Sequence, residues 1–127
     1  MRSVRSKALA KILVVEDEAA VCLLIEGMLE RLGYAVGGPA FSLAHGLRVA
    51  EDEQFSAALL DVNLAGEASY PIAAVLQRKG IPFAFVTGYG AAATRQFPGI
   101  AVLQKPYTQD QLGVMVEGLL PHRGQAS

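Results

Sequence analysis

The stretch Ala57-Ala58-Leu59-Leu60-Asp61-Val62-Asn63 decides how this chain is expected to fold. Its first four residues form a short apolar run bounded by polar residues, which is typical of a strand buried on both faces of a parallel sheet. The run ends in a carboxylate, that of Asp61. Open α/β sheets collect their ligands outside the carboxyl ends of the strands. The stretch therefore predicts that Asp61 lies at such an edge.

The composition predicts one folded domain without the features of a nucleic-acid-binding or membrane protein. Of the 127 residues, 52% are hydrophobic and 18% are charged, so a single packed core is expected. A net charge of −1 gives no basic surface for nucleic acid or anionic lipid. No apolar run reaches the length of a membrane span, and no secretory signal follows the basic first residues. We expect a cytoplasmic protein in which the lone Cys22 is a small apolar residue of a helix.

Strand-like and helix-like periodicities alternate along the sequence. Alternation of this kind implies right-handed crossovers and a parallel sheet covered by helices on both faces. We therefore predict an α/β, flavodoxin-like, doubly wound fold with a five-stranded parallel sheet of order 2-1-3-4-5. The folded domain is expected over residues 10–121, between a flexible basic leader (1–9) and a short tail (122–127). Strands are predicted at 12–15, 34–39, 57–63, 81–86 and 100–103, and helices at 19–32, 42–51, 69–79, 90–97 and 108–120.

Local signals place the ends and the buried faces of these helices. Ser42 and Ser69 are expected to cap the second and third helices, and Thr108 with Gln111 has the spacing of a capping box. Gly80 is placed to end the third helix. The first helix is expected to turn an apolar stripe toward the core, formed by Val21, Leu24, Ile25, Met28, Leu29 and Leu32.

Polar residues follow four of the five predicted strands, and a parallel sheet brings those strand ends to one edge. Glu16 and Asp17 follow the first strand, Asp61 ends the third, Thr87 follows the fourth and Lys105 the fifth. Two carboxylates about 4 Å apart repel by about 4 kcal/mol at an effective dielectric constant near 20. One lysine does not offset three acids, whereas a divalent cation would, and an all-oxygen ligand set suits Mg2+.

With Mg2+ bound, this constellation has the parts that phosphoryl transfer needs. Asp61 would be the nucleophile, Lys105 would pair with a phosphoryl oxygen and the Thr87 hydroxyl would donate to another. Each residue also has an ordinary explanation, such as a charged turn at 16–18 that favours the following helix. Fitting residues at four separate strand ends together favour the functional interpretation.

Four stretches carry a resemblance to a known family: Val14-Val15-Glu16-Asp17-Glu18, Leu60-Asp61-Val62-Asn63, Val86-Thr87-Gly88 and Lys105-Pro106-Tyr107. Over residues 11–120 they resemble the motifs of the CheY-like response-regulator receiver domain. The resemblance implies that Asp61 is phosphorylated, that Asp17 binds Mg2+ directly and that Glu16 acts through water. It also implies a further ligand in the backbone carbonyl of Asn63, phosphoryl contacts from Thr87 and Lys105, and a cis Lys105–Pro106 peptide bond.

A narrower resemblance covers Pro82-Phe83-Ala84-Phe85-Val86-Thr87-Gly88-Tyr89-Gly90. It is similar to stand-alone receivers from alphaproteobacteria whose fourth strand ends in a Phe-Ala-Thr-Gly-Tyr sequence, with Val86 in place of the alanine. This implies a partner histidine kinase of the HWE/HisKA2 type, or a histidine phosphotransfer protein, and a link to general stress signalling.

Two positions depart from the wider family. Val102 stands where the usual switch aromatic would be, three residues before the lysine, so the familiar coupling between the threonine and that aromatic cannot operate. Tyr89 is a possible substitute, and an exposed loop tyrosine is the alternative interpretation. Ala65-Gly66 is expected to form a turn after Asn63, and Ala65 replaces a common proline after the acceptor, which is expected to loosen that loop.

The resemblance implies a single-domain response regulator of a two-component system or phosphorelay. It would signal by conformational change or phosphate relay, with a downstream protein bound at the face of the fourth helix, fifth strand and last helix, and with Leu23 and Tyr107 as candidate kinase contacts. Its only enzymatic chemistry would be self-phosphorylation and self-dephosphorylation.

Two alternatives remain: a protein-binding pseudo-receiver that is not phosphorylated, and an aspartyl-phosphate phosphatase. The phosphatase would want a second acid where Asn63 stands. No glycine-rich phosphate loop follows the first strand, which argues against a nucleotide-binding domain. Neither His45 nor His122 has a metal-ligand partner at helical spacing, and both are expected to be solvated.

Overall fold

A computed structural model of the chain describes residues 10–88 and 95–121. The predicted leader (1–9), the tail (122–127) and residues 90–94 of the predicted fourth helix lie outside these described residues. No described helix is long and apolar enough to cross a membrane. The elements are, in order, β1 (Lys11–Val15), α1 (Ala19–Arg31), β2 (Ala35–Ala40), α2 (Leu43–Asp52), β3 (Ala57–Asp61), β4 (Asn63–Leu64), β5 (Glu67–Ala68), α3 (Tyr70–Lys79), β6 (Phe83–Thr87), β7 (Ala101–Gln104) and α4 (Gln109–Leu119).

Five of the strands form one parallel sheet in the order β2-β1-β3-β6-β7. Counting these strands alone, the order is the predicted 2-1-3-4-5, so the doubly wound flavodoxin-like topology is confirmed. β3 lies at the centre, where Leu60 is in register with Val15 of β1 and with Phe85 of β6. The apolar residues 57–60 are all buried, as a central strand with helices on both faces requires.

The sheet separates two apolar clusters. Successive residues of a strand point to opposite faces. Ala58 and Leu60 accordingly belong to the cluster that packs against α2 and α3, whereas Ala57 and Leu59 belong to the cluster under α1 and α4. Helices therefore cover both faces of the sheet. Polar side chains can come together only at the ends of the strands.

The buried stripe of α1 differs from the predicted one. Cys22, Ile25 and Leu29 are buried, whereas Leu24 is 61% exposed, so the prediction for Leu24 was wrong. The buried residues follow the spacing i, i+3, i+7, so the buried face of α1 is centred on Cys22, Ile25 and Leu29. Leu24 lies outside this face. Leu23, which was expected to lie off the stripe, is 69% exposed.

Two of the three predicted helix caps are present. The Ser42 hydroxyl accepts a hydrogen bond from the His45 N–H at 3.1 Å, and Thr108 with Gln111 forms a capping box. Ser69 occupies the N-cap position of α3 but makes no side-chain cap, so that part of the prediction was wrong. The Ser69 N–H donates to the Val62 carbonyl at 2.8 Å, and Ser69 is completely buried.

The predicted strand over 57–63 ends at Asp61, and two short strands that were not predicted follow it, joined by the turn that was expected at Ala65-Gly66. We call residues 63–68 the acceptor hairpin; in it Asn63 pairs with Ala68 and Leu64 with Glu67. The two turn residues have positive φ angles, 51° at Ala65 and 92° at Gly66. Two-residue hairpin turns of type I′ require positive φ at both positions, usually with Asn-Gly or Asp-Gly. Ala-Gly carries little of that signal.

Candidate functional site

The polar residues predicted at four strand ends meet at the carboxyl edge of the sheet. Glu16 and Asp17 follow β1, Asp61 ends β3, Thr87 ends β6 and Lys105 follows β7. One carboxylate oxygen from each of Glu16, Asp17 and Asp61 lies within 4.8 Å of the other two. The Lys105 Nζ lies 3.6 Å from Glu16 Oε1 and 3.5 Å from Asp61 Oδ2.

The strand ladders bring these side chains to one level. The Lys105 N–H donates to the Thr87 carbonyl at 2.9 Å, which extends the pairing of β6 and β7 by one step. The Glu16 N–H donates to the Ala40 carbonyl at 3.0 Å and extends β1 in the same way. Asp61 is in register with Val86, one residue before Thr87. The placement of the site is therefore a consequence of parallel pairing.

Glu16 is the most deeply buried of the three acids, with 2% of the residue exposed. Its carboxylate accepts a hydrogen bond from the Glu18 N–H at 3.1 Å and faces Lys105. The pKa of Glu16 is raised to about 7, mainly by burial and also by the charge of Asp61, against the opposing effects of the Glu18 N–H and Lys105. In the folded protein the Glu16 carboxyl therefore holds its proton more tightly than a solvated glutamate does.

Asp61 is held on both sides and still reaches solvent. Its Oδ1 accepts a hydrogen bond from the Asn63 N–H at 3.3 Å, and its Oδ2 faces Lys105. Its side chain is 12% exposed, so the carboxylate is oriented by the protein and open on one side. A carboxylate in this position can act as a nucleophile or as a metal ligand.

The acceptor hairpin contacts the site as well. The Ala65 N–H donates to Asp17 Oδ2 at 3.1 Å, and the Gly66 N–H donates to the Asn63 side-chain oxygen at 2.8 Å. From the sequence, no contact with Asp17 was expected for Ala65, and no hydrogen bond was expected for the Asn63 side chain. The contact between residues 17 and 65 depends on the pairing of the two short hairpin strands, which was not predicted from the sequence.

Several other predicted site residues have defined places. Thr87 is buried, and Val102 is half-buried, packed beside the aromatic residues of the α2–α3 cluster and in register with Phe85. The Lys105–Pro106 peptide bond is cis. Tyr89, the possible switch residue, and His122 lie outside the described residues.

Tyr107 and Cys22 border the acids from the α1–α4 side. Tyr107 is half-buried against that cluster, and burial raises its pKa to about 12, with Glu16 and Asp61 adding to the rise. The Cys22 thiol donates to the Glu16 backbone carbonyl at 3.3 Å. Burial raises the pKa of Cys22 to about 11, and the charge of Glu16 contributes. Both groups are therefore neutral neighbours of the site at ordinary pH.

The donor set fits a small divalent cation. Three carboxylates within 4.8 Å offer only oxygen ligands, and in the described part of the chain Lys105 is the one cationic side chain paired with them. Mg2+ prefers oxygen ligands and is usually held by one or two carboxylates with several waters retained. Such an ion would offset the charge of Asp61, which adds to the effect of burial in raising the pKa of Glu16.

No protein-family model and no curated protein matches the chain. Among solved structures, SdrG from Sphingomonas melonis Fr1 is 40% identical, with 88% of this chain and 97% of SdrG covered and a TM-score of 0.76. The CheY-like response regulator receiver domain protein from Methanospirillum hungatei JF-1 is 30% identical, with coverages of 87% and 94% and a TM-score of 0.75.

The receiver domain of a sensor histidine kinase from Pseudomonas aeruginosa PAO1, solved with a magnesium ion coordinated in its active-site cleft, is similar too. It is 25% identical, with 87% of this chain and 97% of that domain covered and a TM-score of 0.76. All three similarities extend over nearly the whole of the proteins compared, so they concern the complete domain and not a single motif.

Proposed function

Because the chain belongs to the response-regulator receiver domain family, we propose that it accepts a phosphoryl group on Asp61 with Mg2+ bound beside it. The observation that carries this proposal is the group of three acids within 4.8 Å, of which Asp61 also faces Lys105 at 3.5 Å. Receiver domains are signalling modules and not classical enzymes. The chain is accordingly proposed to act as a response regulator in a two-component system or phosphorelay.

The donor is proposed to be the phosphohistidine of a histidine kinase or of a phosphotransfer protein. An Asp61 oxygen attacks phosphorus, the N–P bond breaks, and the histidine nitrogen leaves with the bonding pair and takes up a proton. The product is an acyl phosphate on Asp61. Lys105 and the Thr87 hydroxyl are placed to stabilise the phosphoryl oxygens, since this chemistry depends on positioning and charge stabilisation.

Asp17 and Asp61 would hold Mg2+ directly, with the Asn63 backbone carbonyl as a further ligand and Glu16 acting through water. When bound, the ion supplies positive charge to the incoming phosphoryl group. The proposal is supported by the all-oxygen donor set and by the excess of acids, since among the described residues one lysine pairs with a group of three carboxylates.

Signal output is proposed to occur through protein partners in the cytoplasm. The resemblance of residues 82–90 favours a kinase of the HWE/HisKA2 type. The downstream protein is proposed to bind near β7 and α4, at the face completed by the predicted helix over 90–97. A pseudo-receiver is disfavoured because Asp61, Thr87 and Lys105 are all present, and a phosphatase because Asn63 is not an acid.

Incubation with acetyl phosphate or phosphoramidate and Mg2+, followed by intact-mass measurement, tests the proposal. We expect the mass to rise by one phosphoryl group and the rise to be absent in Asp61→Asn and in EDTA. No rise under any condition would favour the pseudo-receiver. Repeated turnover of a phosphomonoester would favour the phosphatase instead.

A further inference from the structure

The acceptor hairpin joins the proposed phosphoacceptor to a proposed cation ligand through three hydrogen bonds. The Asn63 N–H donates to Asp61 Oδ1 at 3.3 Å, and the Asn63 side-chain oxygen accepts from the Gly66 N–H at 2.8 Å. The next amide in the turn, that of Ala65, donates to Asp17 Oδ2 at 3.1 Å. Asn63 therefore contacts Asp61 through its backbone and supports the contact with Asp17 through its side chain.

The hairpin is built firmly enough to hold this arrangement. Leu64 is 1% exposed and packs into the α2–α3 cluster, so it anchors one strand of the hairpin. The Ser69 N–H, which donates to the Val62 carbonyl at 2.8 Å, closes the hairpin at its base. Ala65 has a φ of 51°, a conformation that costs an L-residue about 1–2 kcal/mol. Such a conformation persists only where surrounding contacts stabilise it.

Asp17 needs an external donor because the neighbouring charges repel it. In the absence of a cation, the carboxylates of Glu16 and Asp61 lie within 4.8 Å of its own and disfavour an inward orientation. Lys105 faces the other two acids, Glu16 and Asp61. The Ala65 N–H holds one oxygen of Asp17 and leaves the second oxygen available for a metal ion.

We propose that the acceptor hairpin orients Asp17 for Mg2+ before the ion arrives, and that the Asn63 side chain is the positioning residue that shapes the turn. This inference rests on the proposed function, because it takes Asp17 as a cation ligand. It assigns to the Asn63 side chain a role separate from that of the Asn63 backbone carbonyl. It also makes Mg2+ affinity depend on a residue whose side chain contacts neither the ion nor the phosphoryl group.

Asn63→Ala tests the inference because it removes the side-chain oxygen and keeps the backbone N–H and carbonyl. We expect the Mg2+ dissociation constant to rise about 10-fold, as is usual when a residue that orients a ligand is lost. The exchange of the Ala65 amide proton with water, followed by NMR in EDTA, should become faster.

Two further variants separate positioning from general damage. Asn63→Asp keeps a side-chain oxygen for the Gly66 N–H, so the slow exchange of the Ala65 amide proton should return. Glu67→Ala changes an exposed residue of the same hairpin and should leave the exchange rate and the Mg2+ affinity unchanged.

The outcomes distinguish this inference from the proposed function. If wild type binds Mg2+ and is phosphorylated, but Asn63→Ala matches it in affinity and in exchange of the Ala65 amide, the positioning role is overturned alone. If wild type neither binds Mg2+ nor gains a phosphoryl group, both proposals fall. Faster exchange in Asn63→Ala with unchanged Mg2+ affinity would also overturn the positioning role.

Discussion

A lysine lies at each end of the parallel strands: Lys79 at the amino edge of the sheet and Lys105 at the carboxyl edge. The two lysines have different partners, backbone carbonyls in one case and carboxylates in the other. At the amino edge, the Lys79 Nζ donates to the backbone carbonyls of Ala50, Glu51 and Glu53 at the end of α2. An ammonium group has three protons, so the donors of Lys79 are fully used. At the carboxyl edge, Lys105 faces two carboxylates, with Asp17 as a third acid beside them.

This difference in partners indicates that Lys79 stabilises the fold, whereas Lys105 contributes to the chemistry of the site. Lys79 satisfies carbonyls that α2 leaves without intrahelical partners, and its positive charge lies at the negative end of the helix dipole. Lys105 leaves a net negative site, which a second cation and an incoming phosphoryl group can complete. Substituting one lysine should therefore change stability, and substituting the other should change chemistry.

Lys105→Met should have the largest effect, on the rate of phosphorylation. Removing one preorganised group that stabilises developing charge typically lowers a rate about 10²–10³-fold. We expect a fall of about 10²-fold in the rate of modification by acetyl phosphate at saturating Mg2+, measured by intact mass over time. Thermal unfolding of the variant in Mg2+ should stay close to that of wild type, which excludes misfolding as the cause. A rate within threefold of wild type would show that Lys105 does not stabilise the phosphoryl group.

Lys79→Met should have the complementary effect, on stability. It leaves three carbonyls at the end of α2 without their charged donor, and hydrogen bonds to charged groups contribute about 1.5–3 kcal/mol. Because the site is only partly buried, we expect a loss of about 2 kcal/mol in the free energy of unfolding, measured by urea denaturation. The phosphorylation rate of the folded variant should equal that of wild type. If this rate fell as steeply as in Lys105→Met, the distinction between the edges would be lost.

Glu16→Gln should show that burying the charged Glu16 carboxylate beside Asp61 destabilises the folded protein. The pKa of Glu16 rises from 4.5 to about 7 on folding, so the folded protein binds the proton more tightly than the unfolded chain does. The stability associated with Glu16 is therefore complete below pH 4.5 and is lost as the pH rises through about 7. Glutamine is neutral throughout and does not undergo this loss.

In EDTA at pH 8 we expect Glu16→Gln to be more stable than wild type by about 1–2 kcal/mol, and near pH 4.5 the two should converge. Urea denaturation across this pH range gives the difference curve. Mg2+ should stabilise wild type more than the variant, because the ion replaces the missing positive charge. A difference that is independent of pH would contradict the assignment to Glu16.

The strand-end residues of the site could be predicted from local sequence signals. Asp61, Thr87 and Lys105 end or follow apolar runs, so strand periodicity and the parallel topology together place them at one edge. The central position of β3 follows from residues 57–60, which are apolar without alternation. These are local signals, and they are strong because a central parallel strand is buried on both faces.

The errors concern tertiary contacts that local signals do not contain. The acceptor hairpin places Ala65 at positive φ, which its sequence does not favour. The stripe of α1 includes Cys22 in place of Leu24, because burial of the helix depends on how it sits against the sheet. Serine favours the N-cap position, but the Ser69 side chain makes no cap, and its N–H donates to the Val62 carbonyl.

Ser69→Ala should have the smallest effect on the free energy of unfolding, and the sign of that change tests whether the Ser69 hydroxyl has a partner. Ser69 is fully buried, and among the described residues its Oγ has no hydrogen-bond partner. A buried hydroxyl without a partner is destabilising, so alanine should leave the free energy of unfolding unchanged or raise it by up to about 1 kcal/mol.

Ser42→Ala is the matched control, since the Ser42 hydroxyl does cap its helix, and its loss should cost about 1 kcal/mol. Urea denaturation of both variants gives the comparison. An equal loss in both would mean that the Ser69 hydroxyl has a partner in solution, such as a buried water. Opposite signs would mean that the start of α3, beside the acceptor hairpin, keeps a polar group unsatisfied where the start of α2 does not. The carboxyl edge would then contain an unsatisfied hydroxyl group as well as an excess of acidic groups.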